Sequence, residues 1–328
     1  MSFAAHVPRR PLAILPTPLH RLTALEALVG SGPLYLKRDD LAGFGLAGNK
    51  ARALEFLLGD ALARPADILV TGGSPSSNFV VAAALAARVC GLDCDLLVAG
   101  KAPAEEPLTL GLARGCGANL YFTGADREEL DGLVDEHADR LRAEGRRPYP
   151  VPRGGATPVG ALGFAAAVPE LAAQLAGLDD AVVVVPTGSG ASLAGFLAGR
   201  AAAGATWRTY GVSVSRPAPR IRAEILALAG SCAALLHGPT VRDTDLNLVD
   251  AVGPGFGRLT DADLRHARLA LDSEGVLVDP TYGAKALTAV LDLVEAGERA
   301  PIVLWHGGGV PAALSLLAGS AAQRIGAP

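Results

Sequence analysis

The chain has 328 residues, enough for two domains of ordinary size or one large α/β domain with an inserted lobe. Half of the residues are hydrophobic, 19% are charged and the formal net charge is -4, a balance that gives neither nucleic acid nor an anionic membrane a reason to bind. Four scattered cysteines, Cys90, Cys94, Cys116 and Cys232, do not make a disulfide framework, and the CGLDC spacing lacks a second Cys/His pair to complete a zinc site.

The opening MSFAAHVPRRPLAILP has two arginines but no continuous apolar core and no small-residue cleavage site, so it does not read as a secretory signal. No later apolar run reaches the roughly 18 residues needed to span a bilayer. The expectation is a cytoplasmic protein with a small-molecule partner, no metal, no nucleic acid and no membrane. In chain order, ILVTGG at 68–73, CDLLVAG at 94–100, AVVVVPTG at 181–188, TYGVSV at 209–214 and PIVLWHGGG at 301–309 read as buried strands. Helical periodicity fills the intervals: KARALEFLLGDALA from Lys50, FVVAAALAARVC from Phe79, LAGFLAGRAAA from Leu193 and LTDADLRHARLALDSEG from Leu259. The alternation is that of βαβ units and an α/β fold with largely parallel sheets. The segment 125–155, charged and then rich in Gly, Pro and Arg, reads as a return from one lobe to another. In open sheets of this kind ligands sit outside the carboxyl ends of the strands, so TGGSPSSN, PTGSGAS and HGGG are expected to face one crevice.

Lysine is scarce: Lys37, Lys50, Lys101 and Lys285 are the four among 29 basic residues. Each merits a separate reading, because an amine can lose a proton and form an imine whereas a guanidinium cannot. Lys101 lies in a solvated turn, AGKAPAEEP. Lys37 ends LYLKRDD beside Arg38, Asp39 and Asp40, where a charge cluster is sufficient explanation. Lys285 in DPTYGAKAL reads as an exposed helical lysine near other residues of interest. Lys50 opens a helix after the Gly-rich loop LAGFGLAGN, with Asn49 as its expected N-cap, a position that can hold a desolvated amine at a crevice.

The stretch LYLKRDDLAGFGLAGNKARALEFLL closely resembles the Schiff-base segment of the family containing D-cysteine desulfhydrase and 1-aminocyclopropane-1-carboxylate deaminase, and LPTPL, VPRGGATPVGALGF, PTGSGAS, GPGFG, DPTYGAKA and LWHGGGVPA follow in that family's order. The resemblance implies a pyridoxal 5'-phosphate enzyme of fold-type II: two open, twisted parallel-sheet domains with the cofactor in the cleft between them. It implies a large domain from residues 1–50 and 155–328, a small inserted domain at 51–154, and a homodimer. Lys50, in the GNK triplet, would bond the cofactor.

PTGSGAS follows four valines and precedes a helix, so its N–H groups and the helix dipole suit a phosphate. The family's phosphate cup lies here, implying Thr187, Gly188, Ser189, Gly190, Ala191 and Ser192. In TGGSPSSN the family's Ser-Asn pair binds the substrate carboxylate and the cofactor ring oxygen. An ungapped alignment matches Ser76 to that serine, whereas a shift of one residue pairs Ser77 and Asn78 with Ser-Asn; Asn78 is taken as the ring-oxygen partner. A Ser/Asn N-cap is the plainer reading of the same loop, and both can hold together. Tyr282 matches a tyrosine beside the substrate that can serve in proton transfer, and Phe256 replaces a second one. Gly283 and Gly307 stand where relatives carry side chains toward the pyridine nitrogen. The implied activity is α,β-elimination on a small amino acid bearing a β-leaving group, with Lys50 moving the Cα proton. β-Replacement through the same intermediate is the alternative. A serine hydrolase built on Ser192, Asp279 and His306 is a remote one.

Overall fold

The structure, a computed structural model, describes residue 4, residues 6–178 and residues 180–315. Its first half runs through β1 (Leu19–Arg21), α1 (Thr23–Val29), β2 (Leu34–Arg38), α2 (Lys50–Ala63), β3 (Ile68–Gly73), α3 (Asn78–Val89), β4 (Asp93–Val98), α4 (Leu108–Gly115), β5 (Asn119–Phe122), α5 (Leu130–Ala143) and β6 (Pro148–Val151). The second half continues with α6 (Pro158–Ala165), α7 (Ala167–Gln174), β7 (Val182–Thr187), α8 (Ala191–Ala203), β8 (Arg208–Ser213), α9 (Ala218–Leu235), β9 (Asn247–Asp250), α10 (Asp261–Glu274), α11 (Gly283–Glu295) and β10 (Ile302–His306).

The strands form two sheets. One has the order β1-β2-β10-β7-β8-β9, parallel except for the antiparallel edge strand β1. The other has the order β5-β4-β3-β6 and is parallel throughout. Every residue of β3 and β10 is buried, which is why these strands read as unbroken apolar runs: helices cover both faces of a parallel sheet.

The segment 125–155 departs from its reading as a connection, because it contains helix α5 and strand β6. Strand β6, PYPV, pairs with β3 at the edge of the smaller sheet. An edge strand tolerates the missing N–H groups of Pro148 and Pro150, and those same prolines hide the strand from a propensity reading.

A buried polar cluster fixes the start of α2. Arg52 donates to Asp39 through Nε and Nη2 at 2.8 Å each, to both Glu170 oxygens at 3.0 Å and to the Thr17 hydroxyl at 3.0 Å. Trp305 Nε1 on β10 donates to Asp39 at 2.7 Å. Lys37 joins the cluster by pairing with Glu170 and donating to the Thr17 carbonyl at 2.6 Å and to Gln174 at 2.7 Å. Its charge cluster therefore comes from α7 as well as from its own strand. Removing one partner of such a buried network costs on the order of 3–5 kcal/mol, since the remaining charge stays buried. The consequence for the site is positional: Arg52, two residues after Lys50, locks the first turn of α2 against both β2 and β10.

Among the described residues no helix is long and apolar enough to cross a membrane, and no cluster of His, Cys, Asp and Glu could hold a metal ion. All four cysteines are free thiols.

Candidate active site

A cavity of about 410 Å3 takes its lining from the carboxyl ends of β3, β7 and β10, the three strands whose Gly-rich turns were expected to share a crevice. Both sheets contribute, since β3 belongs to the smaller one and β7 and β10 to the larger.

The turn before α2 delivers Lys50 to this cavity. Gly48 has φ +55, and a Cβ there would stand 2.1 Å from the Gly307 carbonyl oxygen. Only glycine allows the turn that carries Lys50 to lie directly on the turn after β10. Asn49 is not the side-chain cap of α2 that the sequence suggests: it adopts helical angles and makes no capping bond. Its N–H donates to the Gly307 carbonyl at 2.9 Å and its side-chain amide donates to Ser192 Oγ at 3.3 Å. The GNK triplet thus ties three loops together.

Lys50 lines the cavity and its amine makes no hydrogen bond among the described residues. Desolvation pushes its pKa down to about 8, opposed by the nearby Asp279 carboxylate. The other lysines are otherwise engaged. Lys37 is buried in its ion cluster, and Lys101 is exposed. Lys285 is buried rather than exposed: its amine donates to the carbonyls of Ala251 and Val252 at 2.7 and 2.6 Å, clamping the loop that leads to Phe256.

The loop after β7 presents Thr187, Gly188, Ser189, Gly190 and Ser192 to the cavity, while Ala191, buried as the first residue of α8, is not in the lining. Gly190 sits at φ +95 immediately before α8, whose first-turn N–H groups lack intrahelical acceptors. Thr187 Oγ1 is buried without a hydrogen-bond partner among the described residues. A donor hydroxyl, a helix N-terminus and flanking serines make a set suited to an anionic group with several acceptor oxygens.

Across the cavity lie Ser76, Ser77 and Asn78. Ser77 is the N-cap of α3, its hydroxyl accepting from Val80 N–H at 3.5 Å; Ser76 is exposed, and Asn78 opens the helix. Tyr282 and Phe256 complete the wall, edge to face with ring centres 6.1 Å apart. A Cβ on Gly188 would come within 2.9 Å of the Tyr282 hydroxyl, so this glycine leaves room for the phenol. Burial raises the Tyr282 pKa above its ordinary value, with Arg127 acting against that shift.

Asp279, which the sequence offered only as a member of the remote hydrolase triad, has a different place here. It is buried in the lining, and its oxygens accept the N–H groups of Thr281, Tyr282 and Gly283 at 2.8 to 2.9 Å. Burial raises its pKa in spite of those three donors. Besides its place in the Ser-Asp-His order, its sequence signal is an acidic residue four positions before a helix. The two glycine departures have steric partners here. A Cβ at Gly283 would lie 3.1 Å from Asp279 Oδ2, and one at Gly307 would lie 3.2 Å from Asn49 Cγ. Arg127 and Arg153 also line the cavity, and nothing in the sequence singled them out.

The hydrolase alternative is not assembled. Among the described residues neither ring nitrogen of His306 has a hydrogen-bond partner, the nearest carboxylate contact of its Nε2 being Asp40 at 3.8 Å; Ser192 Oγ is contacted by Asn49, and Asp279 is occupied by backbone N–H groups. A triad needs the serine and aspartate on opposite sides of one imidazole.

The family model described as pyridoxal-phosphate dependent enzyme matches residues 11–308. A D-cysteine desulfhydrase of Salmonella newport is 34% identical over 327 residues, covering 93% of this chain and 95% of that protein. A Pyrococcus furiosus protein provisionally named as a 1-aminocyclopropane-1-carboxylate deaminase is 35% identical over 312 residues, covering 94% of each. A solved structure described as an ACC deaminase homologue superposes with a TM-score of 0.87 at 35% identity, covering 96% of this chain and 98% of that one.

Proposed function

This chain belongs to the pyridoxal-phosphate dependent enzyme family, and on that premise we propose that it is a lyase that eliminates a β-substituent from a small amino acid, with Lys50 as the residue that holds the cofactor and moves the substrate proton. The observation that carries the assignment is the state of the four lysines: one amine, that of Lys50, faces the cavity without a hydrogen bond among the described residues, and burial lowers its pKa to about 8, so that a large share of it is unprotonated at mildly basic pH.

The residues present fit the cofactor. Thr187, with its unpartnered hydroxyl, together with Gly188, Ser189, Gly190 and Ser192 at the start of α8, would hold the phosphate, and Asn78 the ring oxygen. When bound, pyridoxal 5'-phosphate supplies an electrophilic carbon for amines and a conjugated ring that accepts the electron pair left at Cα.

Lys50 Nζ would serve as the base for the substrate Cα proton. Desolvation keeps that amine from being permanently charged, and Asp279 keeps its pKa from falling further. Ser76 and Ser77, beside the N-terminus of α3, would receive the substrate carboxylate. Tyr282 Oη, held protonated by burial, would hold or pass a proton at the departing group. The Cα–H bond gives its proton to Lys50, the Cβ–X bond gives its pair to X, and water supplies the oxygen of the keto acid as ammonia leaves.

The test is keto-acid and ammonia release from D- and L-cysteine, β-chloroalanine, O-acetylserine and 1-aminocyclopropane-1-carboxylate. Open-chain elimination is expected to exceed ring opening, because the cyclopropane has no Cα–H and needs further polar groups where this chain has Phe256 and Gly283. Faster ring opening than any open-chain elimination overturns the assignment.

A further inference from the structure

Arg127 and Arg153 line the cavity that Phe256 and Tyr282 wall, and Arg127 feels the charges of both Arg153 and Arg216, but the three guanidinium groups are not equivalent. Arg153 forks onto Asp131 at 3.1 and 2.8 Å. Arg216 pairs with Glu224 at 2.6 Å. Arg127 has no carboxylate in ion-pair range among the described residues; even its neighbour Glu128 turns toward Arg220, at 3.3 Å. Its guanidinium instead lies over the Phe256 ring, 4.3 Å from the ring centre, in the cavity lining.

Holding a charge this way is unfavourable in the absence of an anion. Burial above all, and the charges of Arg153 and Arg216, oppose ionisation of Arg127, and Tyr282 and Glu128 offset them only in part, yet a guanidinium stays charged in proteins. The aromatic face of Phe256 compensates only partly for the lost water. An anion entering the cavity would meet a planar donor fork already partly desolvated, lying over a ring and without an ion-paired carboxylate among the described residues. Arg127 reaches this place from the loop after β5, while Phe256 and Tyr282 come from the other half of the chain, so the fork closes the cavity on the side of the aromatic wall.

We infer that Arg127 determines substrate class: it docks a negatively charged group carried on or beyond Cβ, so that amino acids with an anionic β-substituent, such as a phosphate ester or a sulfonate, are preferred over those with a neutral one. This inference rests on the elimination reading above. In the reaction the Cβ–O or Cβ–S bond breaks with its electron pair leaving on the anion, as phosphate or sulfite, and the guanidinium stabilises the charge that grows there.

The test uses the holoenzyme and inert probes without an amino group: calorimetric binding of 3-phosphonopropanoate against butanoate. The dianion is expected to bind about tenfold more tightly, and that ratio is expected to collapse in Arg127→Gln and to survive in part in Arg127→Lys. Arg216→Gln, which removes a guanidinium that has its own carboxylate, is expected to keep the ratio. A ratio near one in the parent enzyme, a ratio that survives Arg127→Gln, or an equal loss in Arg216→Gln overturns the inference. So does a weakened affinity for pyridoxal 5'-phosphate in Arg127→Gln with the probe ratio intact, which would make the fork a partner of the cofactor phosphate. Keto-acid release is then compared for O-phosphoserine and cysteate against O-acetylserine and cysteine. Faster turnover of the neutral pair overturns the inference and leaves elimination standing, whereas no keto acid from either pair by enzyme with intact cofactor absorbance counts against elimination itself.

Discussion

The N–H of Asn49 donates to the carbonyl of Gly307 at 2.9 Å, joining the residue before Lys50 to the residue after β10 across more than two thirds of the chain. With Gly48 packed on the same carbonyl, the approach direction of Lys50 is set by backbone contacts that side-chain motion cannot relax.

Gly48→Ala is therefore expected to damage the site more than its size suggests. A left-handed φ costs an L-residue roughly 1–2 kcal/mol, and the added Cβ meets a backbone oxygen that cannot rotate away. A lower melting temperature and weakened visible cofactor absorbance should appear together. An unchanged melt and spectrum would show that the two turns are not rigidly coupled.

Lys50→Ala should lose the visible cofactor band that borohydride fixes to the protein, and Lys101→Ala should keep it. Lys285→Met should also keep it while melting earlier, because two buried carbonyls lose their donor, at roughly 1–3 kcal/mol. Persistence of the band in Lys50→Ala would transfer the cofactor bond to another amine.

The cofactor-free protein should gain stability as pH rises from 8 to about 10. The folded pKa of Lys50 is lowered from 10.5 to about 8, so below pH 8 both states carry the proton and the folded state bears the whole cost of the buried charge. Above it the unfolded chain binds the extra proton, and the cost, about 3 kcal/mol, is progressively removed. Thermal melts of parent and Lys50→Met across this window isolate the effect from other groups; parallel curves would refute it.

Thr187→Val has opposite expected effects with and without cofactor. The hydroxyl is buried and unpartnered, so valine should leave the cofactor-free fold as stable or stabilise it by up to about 1 kcal/mol. Cofactor affinity should fall about tenfold through loss of one phosphate hydrogen bond. Equilibrium dialysis against pyridoxal 5'-phosphate measures the second effect, and unaltered affinity removes Thr187 from the phosphate site.

Tyr282→Phe should lower turnover about a hundredfold while changing cofactor affinity little, since a proton-transfer group acts on the reaction rather than on binding. The ring still packs edge-on to Phe256, so the fold should be retained. A variant with parent turnover would make Tyr282 a packing residue.

Much of this molecule is legible in one dimension because the information is local. The runs that form β3 and β7, the helix beginning at Lys50 and the Gly-rich turns that end the strands are each specified within about ten residues by periodicity and turn chemistry. Lys50 is singled out by the family resemblance of the contiguous strand, loop and helix around it, since a lysine after Gly-Asn at a helix start is by itself weak evidence. What only the tertiary structure decided is which polar groups find partners. Lys285 looked exposed until the loop at 251–255 folded over its amine, and Asn49 looked like a cap until Gly307 and Ser192 arrived from the far end of the chain. Arg127 is one arginine among many in sequence; its lack of a carboxylate is set by where Asp131, Glu224 and Glu128 point once both sheets have packed. Charge pairing depends on distances across segments remote in sequence and falls off within a few ångströms, so no local pattern encodes it.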